Sequence, residues 1–511
     1  MLDGASVSVE DDGASLLETL RDRLGVRTAK DGCSPQGQCG CCTVLVDGQP
    51  RVACVTPTAR VRGRTVTTID GLDPEVRDAW AEELCAAGGS QCGFCTPGIV
   101  MRLVAAAGKG EPDDRAIDQA LLAHLCRCTG WQTIREAATA VARRSVDTSS
   151  RPAPTRDLDA ASRRATLEGR SPQVVSPSVA LGAGGFADDS APPDALVALR
   201  SPDGSWTVAE TLREARLAVG KVQGRRTTAP LAWPIELPAG EWHRTLRTTW
   251  VEPAYLEPDA AWCEPGGTPV SSLANGGAFG GKLDSEVGGV ARALADLHGR
   301  AVRVLFSRED VVRLGPKRPP IAAGVRADGT GIIRVVRTAG IAAAITAAAP
   351  GLEVVEVDVV GPRTSSAIRA GGWAEAAVLT AATRDVAEDT ICSPEGATAT
   401  ALVGVGGRIE VRVDCGAPLD RAVLRSYCIG AAHMALGWVR SEGIAVDAEG
   451  TPLDLTIRSF GVLRAVDTPP IEIVIEESDG EPVNGSDAVF AAVAAAAWRH
   501  AGFPPTWPCG R

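Results

Sequence analysis

The sequence has 511 residues, a formal net charge of −11 at pH 7 and a pI near 5.2. With 45% hydrophobic residues it is a globular chain long enough for several domains, and its acidic balance without a basic run argues against nucleic acid as a partner. No apolar stretch is long enough to span a membrane and the first residues lack the pattern of a signal peptide, so we expect a cytoplasmic protein with reduced cysteines.

Residues 1–78 carry the alternating apolar pattern of a small strand-rich domain. Four of its cysteines nearly follow the plant-type ferredoxin run, C-x4-C-x2-C with a distant fourth cysteine, although the first gap holds one extra residue. We predict that these four bind a 2Fe-2S cluster: Cys33, Cys39, Cys42 and Cys54. Asp47-Gly48 is the expected turn of a hairpin that brings the last two together. Cys41 is interpreted as a small apolar filler.

Residues 79–145 carry a helical pattern and a second group of cysteines. Pro97 suits the first position of a helix, and Ile117, Leu121 and Leu125 share one helix face before the last two cysteines. Zinc sites prefer a repeated C-x2-C or histidine partners, and disulfides are typical of small secreted domains. Two four-cysteine sets in order therefore favour two iron–sulfur clusters. We predict the ligands of the second cluster as Cys92, Cys95, Cys126 and Cys128.

The cysteine motifs together resemble those of a known family. Gln91-Cys-Gly-Phe-Cys-Thr-Pro-Gly98 and Leu125-Cys-Arg-Cys-Thr-Gly130, after Gly-Cys-x5-Cys-Gly-x-Cys-Thr-Val, are similar to the small subunit of the xanthine dehydrogenase and aldehyde oxidase family of molybdenum hydroxylases. This resemblance implies a β-grasp ferredoxin-like domain and a helical domain, each with a 2Fe-2S cluster, the second lying close to a molybdenum pterin (molybdopterin) cofactor. It also implies that Gln91 contacts the pterin and that Cys128 lies on the electron path.

The chain changes character after this region. Residues 146–164 are rich in Ser, Pro, Thr and charge, which predicts a linker. Beyond it, short motifs such as Tyr255-Leu-Glu-Pro258 resemble the large subunit of the same family. The resemblance implies a hammerhead-like remnant over residues 165–245 and a shortened α+β molybdopterin-binding region over residues 246–511. The predicted fold class is therefore α+β and multidomain.

The strongest motif of the second half is Asn275-Gly-Gly-Ala-Phe-Gly-Gly-Lys282. Its glycines let the backbone approach a ligand closely, and the helix predicted behind it offers free N–H groups to an anion. A phosphate loop is a near match, but Leu283 replaces the Ser or Thr that would hold magnesium. By the resemblance, the residues of this motif that line the pterin are Gly276, Gly277, Phe279, Gly280 and Gly281.

Two side chains are assigned to catalysis by the same resemblance. Arg369, in Ala367-Ile-Arg-Ala-Gly-Gly372, would lie beside the substrate pocket; the alternative is a solvated surface arginine. Asp487 occupies the register position of the family's glutamate base, just ahead of an Ala-rich helix. Glu481 is the rival for this role, and a plain helix cap is the alternative for Asp487.

The second half is much shorter than the family's large subunit, so two functions stay open. The first is a molybdenum hydroxylase that oxidises a small aldehyde or N-heterocycle with water as oxygen source and passes electrons through both clusters. The second is an electron-transfer or scaffold subunit with a degenerate molybdopterin-binding half. Because no flavin segment separates the halves, we expect a separate FAD-containing subunit or another external acceptor as partner. A homo-oligomer is also left open.

Overall fold

The computed structural model describes residues 1–107, 113–144, 156–220, 226–271, 277–384, 386 and 388–510. Its helices are α1 (Leu16–Glu18), α2 (Pro74–Ala87), α3 (Thr96–Ala107), α4 (Asp114–Ala120), α5 (Gln132–Arg144), α6 (Leu158–Gly169), α7 (Pro177–Ala180), α8 (Ala187–Ser190), α9 (Leu212–Val219), α10 (Val287–His298), α11 (Arg308–Leu314), α12 (Ile341–Ala348), α13 (Trp373–Ala381), α14 (Arg421–Arg440) and α15 (Ser486–His500). Among the residues described, none of these helices is long and apolar enough to cross a membrane.

The strands form four sheets. They are β1 (Thr43–Val46), β2 (Gln49–Val52), β3 (Val66–Thr67), β4 (Leu196–Arg200), β5 (Trp206–Ala209), β6 (Arg244–Thr248), β7 (Ala260–Cys263), β8 (Val270–Ser271), β9 (Val302–Leu305), β10 (Ile321–Val325), β11 (Gly331–Val336), β12 (Leu352–Val357), β13 (Thr390–Cys392), β14 (Thr398–Val403), β15 (Ile409–Asp414), β16 (Ile471–Ile475) and β17 (Thr506–Trp507). The sheet orders are β2-β1-β3, β5-β4-β9-β7-β8, β12-β11-β10-β6-β17 and β13-β14-β15-β16.

The first sheet contains the hairpin expected from the sequence. β1 and β2 pair antiparallel with Val46 opposite Gln49, so Asp47 and Gly48 are the two turn residues. Both have positive φ, +49° and +73°, as a tight hairpin turn that matches strand twist requires. Every residue of β1 is buried, because this strand lies between β2 and β3. The hairpin thus fixes where the chain enters and leaves the first cysteine group.

The helical region packs directly on this sheet. α2 is capped by the Asp73 side chain and ends at Gly88 in the left-handed conformation. One continuous apolar core joins Leu16 of α1, Trp80 of α2 and Ile99 of α3 with the cysteines of both groups. The two regions predicted as separate domains therefore share a core, which holds the two cysteine groups in a fixed relation.

The second half is built around two long helices. α14 and α15 pack against each other and against the sheet β13-β14-β15-β16 within one large core. The middle of α15 consists almost wholly of alanine, and these small side chains are buried along its length. Small side chains let neighbouring helices and strands approach closely, so this helix forms the centre of the second half.

Two predicted boundaries differ from the structure. Residues 158–164 of the predicted linker are helical, because Asp157 caps the start of α6 and Arg164 of this helix is fully buried. The boundary between residues 245 and 246 cuts through a sheet, since β4 pairs with β9 and β9 pairs with β7. Pairing between strands far apart in sequence leaves no local signal, so the boundary implied by the resemblance does not separate two sheets. Residues 146–155 of the linker lie outside the described ranges.

Candidate redox site

The first four predicted ligands come together in the structure. Cys42 immediately precedes β1 and Cys54 lies in the turn after β2, with the Cys54 backbone N–H 3.4 Å from the Cys42 sulfur. Hydrogen bonds from the Cys39 and Cys54 thiols lower the pKa of Cys33 well below its usual value, which shows that these sulfurs are in contact. All four cysteines are buried and free of disulfides. This first quartet is therefore arranged around one centre.

The extra residue of the first motif is accommodated in the loop after Cys33. Ser34 and Gly37 both have positive φ, +45° and +71°, so the loop closes tightly. The Gln36 backbone N–H points to the Cys33 sulfur at 3.1 Å, the kind of donor that a metal-bound thiolate accepts. The backbone of the loop therefore folds back onto the Cys33 sulfur, so the extra residue does not separate the four cysteines.

The second four predicted ligands also meet. The Cys92 and Cys128 sulfurs are 3.6 Å apart, and the Thr129 hydroxyl lies 3.2 Å from the Cys126 sulfur. Hydrogen bonds from the Cys128 and Cys95 thiols lower the pKa of Cys126 well below its usual value. This second quartet lies between the start of α3 and the loop before α5.

Both quartets suit a 2Fe-2S cluster better than a single ion. Across the part of the chain that the structure describes, no three Cys, His, Asp or Glu side chains converge as a single-ion site. A 2Fe-2S cluster instead binds four thiolates over two irons. In each quartet one thiol, Cys33 or Cys126, interacts with two of the others, so the four sulfurs lie close enough together for such a cluster.

Two further residues lie between the quartets. Cys41 is fully buried. A hydrogen bond with Cys39 acts to lower the pKa of its thiol, but burial and the neighbouring cysteines outweigh it, so the pKa is raised. The His124 ring Nε2 lies 3.2 Å from the Gly98 carbonyl and 3.3 Å from the Thr43 hydroxyl. Burial lowers the pKa of His124 to about 3, so this imidazole is neutral. It links the loop of one quartet to the helix that begins at the other.

The sequence did not single out His124 as functional. It stands two positions before a predicted ligand, Cys126, and belongs to no recognised spacing pattern. A Cβ on Gly40 would come within 2.5 Å of the His124 ring, so a glycine is needed where the first loop meets this side chain. A lone histidine within the second cysteine group, two positions before Cys126, was the one available signal.

A narrow cavity lies beside the second quartet, where the glycine motif approaches it. The cavity measures about 210 Å³ and is lined by Gln91, Cys92, Cys128, Gly169, Gln173, Gly277, Ala278 and Phe279. Gly277 has φ +80°, and a Cβ there would lie 2.8 Å from the Arg127 side chain. Gly280 has φ +94° and packs on the Ala367 carbonyl. Gly276, the first predicted contact of the motif, lies outside the described residues.

Gln91 is held at the edge of this cavity. Its side-chain Nε2 donates to the Cys128 carbonyl at 3.0 Å and to the Ser426 hydroxyl at 2.9 Å. Its buried Oε1 has no hydrogen-bond partner within the described ranges. A buried acceptor without a donor is costly, so the site fits a ligand that presents an N–H group at this position.

Arg369 and Asp487 meet on the far side of Phe279. Arg369 is 2% exposed, and its Nε donates to the Asp487 carboxylate at 3.0 Å. Its guanidinium lies 3.9 Å from the centre of the Phe279 ring. Arg170 donates to the other carboxylate oxygen at 2.8 Å. The alternative of a solvated Arg369 is therefore wrong. Burial lowers the pKa of its guanidinium, although the nearby Asp487 carboxylate acts in the opposite direction.

The structure also separates the two candidates for the base. Glu481 is exposed, whereas Asp487 is buried in the first turn of α15. The Asp487 side chain does not cap this helix; its backbone N–H instead donates to Asn484 Oδ1 at 3.0 Å. Asp487 is thus the buried one of the two candidates, and two arginines hold its carboxylate.

The described residues match a molybdenum pterin in part. The free oxygen of Gln91 and the close glycine backbone fit the pterin edge. Ligand pockets usually measure about 300–1,000 Å³. This cavity reaches only about 210 Å³ even when space open to solvent is counted, so it does not hold the whole group in this arrangement. The Arg369–Asp487 pair fills the space beyond Phe279.

Comparisons with known proteins agree with this site. The 2Fe-2S binding domain family matches residues 68–139. A probable xanthine dehydrogenase subunit from Bacillus subtilis is 36% identical over 129 residues, 25% of this chain and 74% of that protein. The "Nicotinate dehydrogenase small FeS subunit" of Eubacterium barkeri is 36% identical over 124 residues, 24% of this chain and 78% of that protein.

Longer proteins are similar as well, one over a quarter of this chain by sequence and one over both halves by fold. A xanthine dehydrogenase of Drosophila subobscura is 40% identical over 139 residues, 25% of this chain, and the chain spans a tenth (10%) of that protein's length. The aldehyde oxidoreductase structure from Desulfovibrio gigas superposes with a TM-score of 0.71 at 14% identity, covering 97% of this chain and 96% of that one. The shared fold thus runs through both halves. With its 2Fe-2S region fused ahead of the second half, the chain belongs to the xanthine dehydrogenase and aldehyde oxidoreductase family of molybdenum hydroxylases.

Proposed function

We propose that this protein oxidises an aldehyde or an N-heterocycle and passes the electrons through two 2Fe-2S clusters to an external acceptor. The observation that carries the proposal is the pair of buried cysteine quartets, the second of which borders the cavity of Gln91. In this proposal residues 1–78 act as the ferredoxin-like domain and residues 79–145 as the helical cluster domain. The named relatives, which belong to a xanthine and a nicotinate dehydrogenase, support the class of substrate.

The chain's own residues then have separate tasks. Gln91 would accept a hydrogen bond from the pterin through Oε1 while its amide holds the Cys128 carbonyl. A molybdenum pterin, when bound, supplies hydroxylation of the substrate with oxygen from water. Arg369 would orient the substrate and Asp487 would accept a proton, once their mutual ion pair opens.

Electrons would leave through the first quartet. Val55, the residue after the ligand Cys54, is 54% exposed, so the chain reaches solvent directly beside this quartet. His124 lies between the two quartets, where its ring is within hydrogen-bond distance of Gly98 and of Thr43. We therefore place the contact with a separate FAD-containing subunit or other acceptor at the Val55 side. Stoichiometric FAD in the purified chain alone would contradict a separate flavin subunit.

The electron-transfer or scaffold role is the second candidate. It is favoured by the Asp487 carboxylate, which is neutralised by Arg369 and Arg170, and by the small cavity beside Gln91. In this role the clusters work but the second half performs no chemistry on a substrate. The two candidates make opposite predictions for metal content.

The deciding experiment is metal analysis and EPR of the purified chain, followed by turnover with a panel of aldehydes and N-heterocycles. The first candidate predicts four irons, two for each cluster, together with molybdenum and turnover. Four irons without molybdenum or turnover would establish the second candidate.

In active protein, Asp487→Asn should reduce turnover by about 10²–10⁴-fold, as loss of a general base does. Glu481→Gln, at the exposed rival position, is the matched control and should leave turnover unchanged.

A further inference from the structure

A second and larger cleft lies where the N-terminal region meets the sheet β5-β4-β9-β7-β8. It measures about 1300 Å³, including the part open to solvent, and shares no lining residue with the cavity of Gln91. Much of its wall is aromatic or aliphatic, from Leu17, Phe94, Phe186, Leu199, Leu212 and Phe306. A cleft with a largely apolar wall and a few polar groups is the usual form of a small-molecule site.

Two carboxylates at this cleft are buried, and each has one oxygen that makes no hydrogen bond among the described residues. Glu257 and Asp259 are 2% and 3% exposed, and both line the cleft. Lys282 donates to one oxygen of Glu257 at 2.7 Å, and the Tyr255 hydroxyl donates to one oxygen of Asp259 at 3.2 Å. Glu257 Oε1 has no hydrogen-bond partner in the described part of the chain. Asp259 Oδ1 makes no well-aligned hydrogen bond there either, although the Ser285 hydroxyl lies near this carboxylate. Because an unsatisfied buried carboxylate oxygen is costly, the site lacks a donor here.

The arginines of the cleft do not supply that donor. Four of these guanidinium groups are engaged by other acids, in the pairs Arg21–Asp188, Arg200–Glu286, Arg216–Asp31 and Arg303–Asp22. Lys282 pairs with Glu257, so it balances one of the two buried acids at the inner wall. Burial, opposed by Lys282, raises the pKa of both carboxyls, as expected for acids without enough positive charge nearby.

A metal ion is a poor candidate for the missing partner. Among the residues that the structure describes, no three acidic, histidine or cysteine side chains are grouped for a metal ion, here or elsewhere. An organic ammonium group offers three N–H donors and needs few acceptors. Its attached carbon skeleton would also cover the apolar wall, and a cation is attracted to the faces of aromatic rings such as Phe186 and Phe306.

We propose that this cleft binds a small organic monocation, a primary amine carrying an aryl or alkyl group. The ammonium group donates to the free oxygens of Glu257 and Asp259, and the apolar group lies against the phenylalanine side chains. The site is separate from the redox chemistry, so this binding does not depend on whether the chain carries molybdenum.

The test is isothermal titration calorimetry on the full, iron-loaded chain at pH 7. The probe is 2-phenylethylammonium, and the neutral isostere 2-phenylethanol is the comparison. We expect the amine to bind at least about tenfold more tightly than the alcohol, because charge-assisted hydrogen bonds are roughly twice as strong as neutral ones. Equal affinity for the two probes, or no heat from the amine, would overturn the proposal.

Three variants locate the binding. Asp259→Asn should weaken the amine about tenfold or more, since it removes one charged acceptor. Leu199→Trp fills the cleft without removing a charge and should abolish binding. Asp328→Asn, at an exposed carboxylate in the turn between β10 and β11, is the control and should bind like the original chain. Unchanged affinity in both Asp259→Asn and Leu199→Trp would place the amine elsewhere and refute the assignment.

Discussion

The buried ion pair of Arg127 and Glu442 offers a sharp test of how the two halves are joined. Arg127 stands between the ligands Cys126 and Cys128, and Glu442 follows α14 in the second half. The guanidinium makes two parallel hydrogen bonds to the carboxylate, of 2.6 and 2.8 Å, and its Nε donates to the Pro253 carbonyl. The side chains are 4% and 2% exposed. The pair therefore connects the second quartet directly to the second half.

Glu442→Gln removes the charge and keeps the shape. Breaking a buried pair by removing one partner costs about 3–5 kcal/mol, because the remaining charge stays buried without compensation. Glutamine can still accept one hydrogen bond from Arg127, so we expect about 3 kcal/mol, the lower end of that range. The double variant Arg127→Met with Glu442→Leu replaces both charges by apolar groups and should cost far less than the two single changes added together.

The assay is urea unfolding of iron-loaded protein, followed by tryptophan fluorescence. Asp467→Asn is the matched control, because the Arg464–Asp467 pair is exposed and worth less than about 1 kcal/mol. If Glu442→Gln also lowered the unfolding free energy by less than about 1 kcal/mol, the pair would not join the halves. A double variant as unstable as the sum of the single variants would equally refute the reasoning.

Three further predictions concern the clusters and pH. Gly430→Ala would place a Cβ 1.8 Å from the Cys128 carbonyl oxygen, so iron analysis should fall from four irons to two and one EPR signal should vanish. Cys41→Ala should keep four irons, whereas Cys39→Ala should keep two; equal losses would make Cys41 a ligand. Burial lowers the pKa of His433 to about 4, below the unfolded value of about 6.5, so the unfolded chain binds more protons between these pH values. Stability should therefore fall as pH decreases through that window by about 1.4 kcal/mol per pH unit, and denaturant titrations of His433→Gln should lack that contribution.

Local patterns accounted for the parts of the molecule that depend on neighbours in sequence. The Asp47-Gly48 turn and a helix behind the glycine motif were both predicted, because turn residues and helical periodicity act within a few positions. The cysteine spacings predicted two quartets, and the side chains meet as expected. Similarity to a family supplied Arg369 and Asp487, which no local pattern would have selected.

Contacts between distant segments could not be predicted in this way. The sequence placed Arg369 and Asp487 in one pocket but gave no sign that they neutralise each other, because the pairing depends on how α13 and α15 pack. Arg170, the second partner of Asp487, lies in a region without a recognisable motif. The unpaired oxygens of Glu257 and Asp259 likewise arise from burial, which sequence does not report.

The position of α14 has a consequence for how the protein matures. This helix lies directly on the second quartet: Gly430 touches the Cys128 carbonyl, and the Ser426 hydroxyl is shared between Gln91 and the Gly88 carbonyl. The docked α14 thus covers one side of these buried cysteines, and among the described residues only a narrow cavity beside Gln91 adjoins Cys92 and Cys128. We therefore expect cluster insertion to precede docking. The order of the chain suits that schedule, since the cysteine region leaves the ribosome well before residue 421 is made.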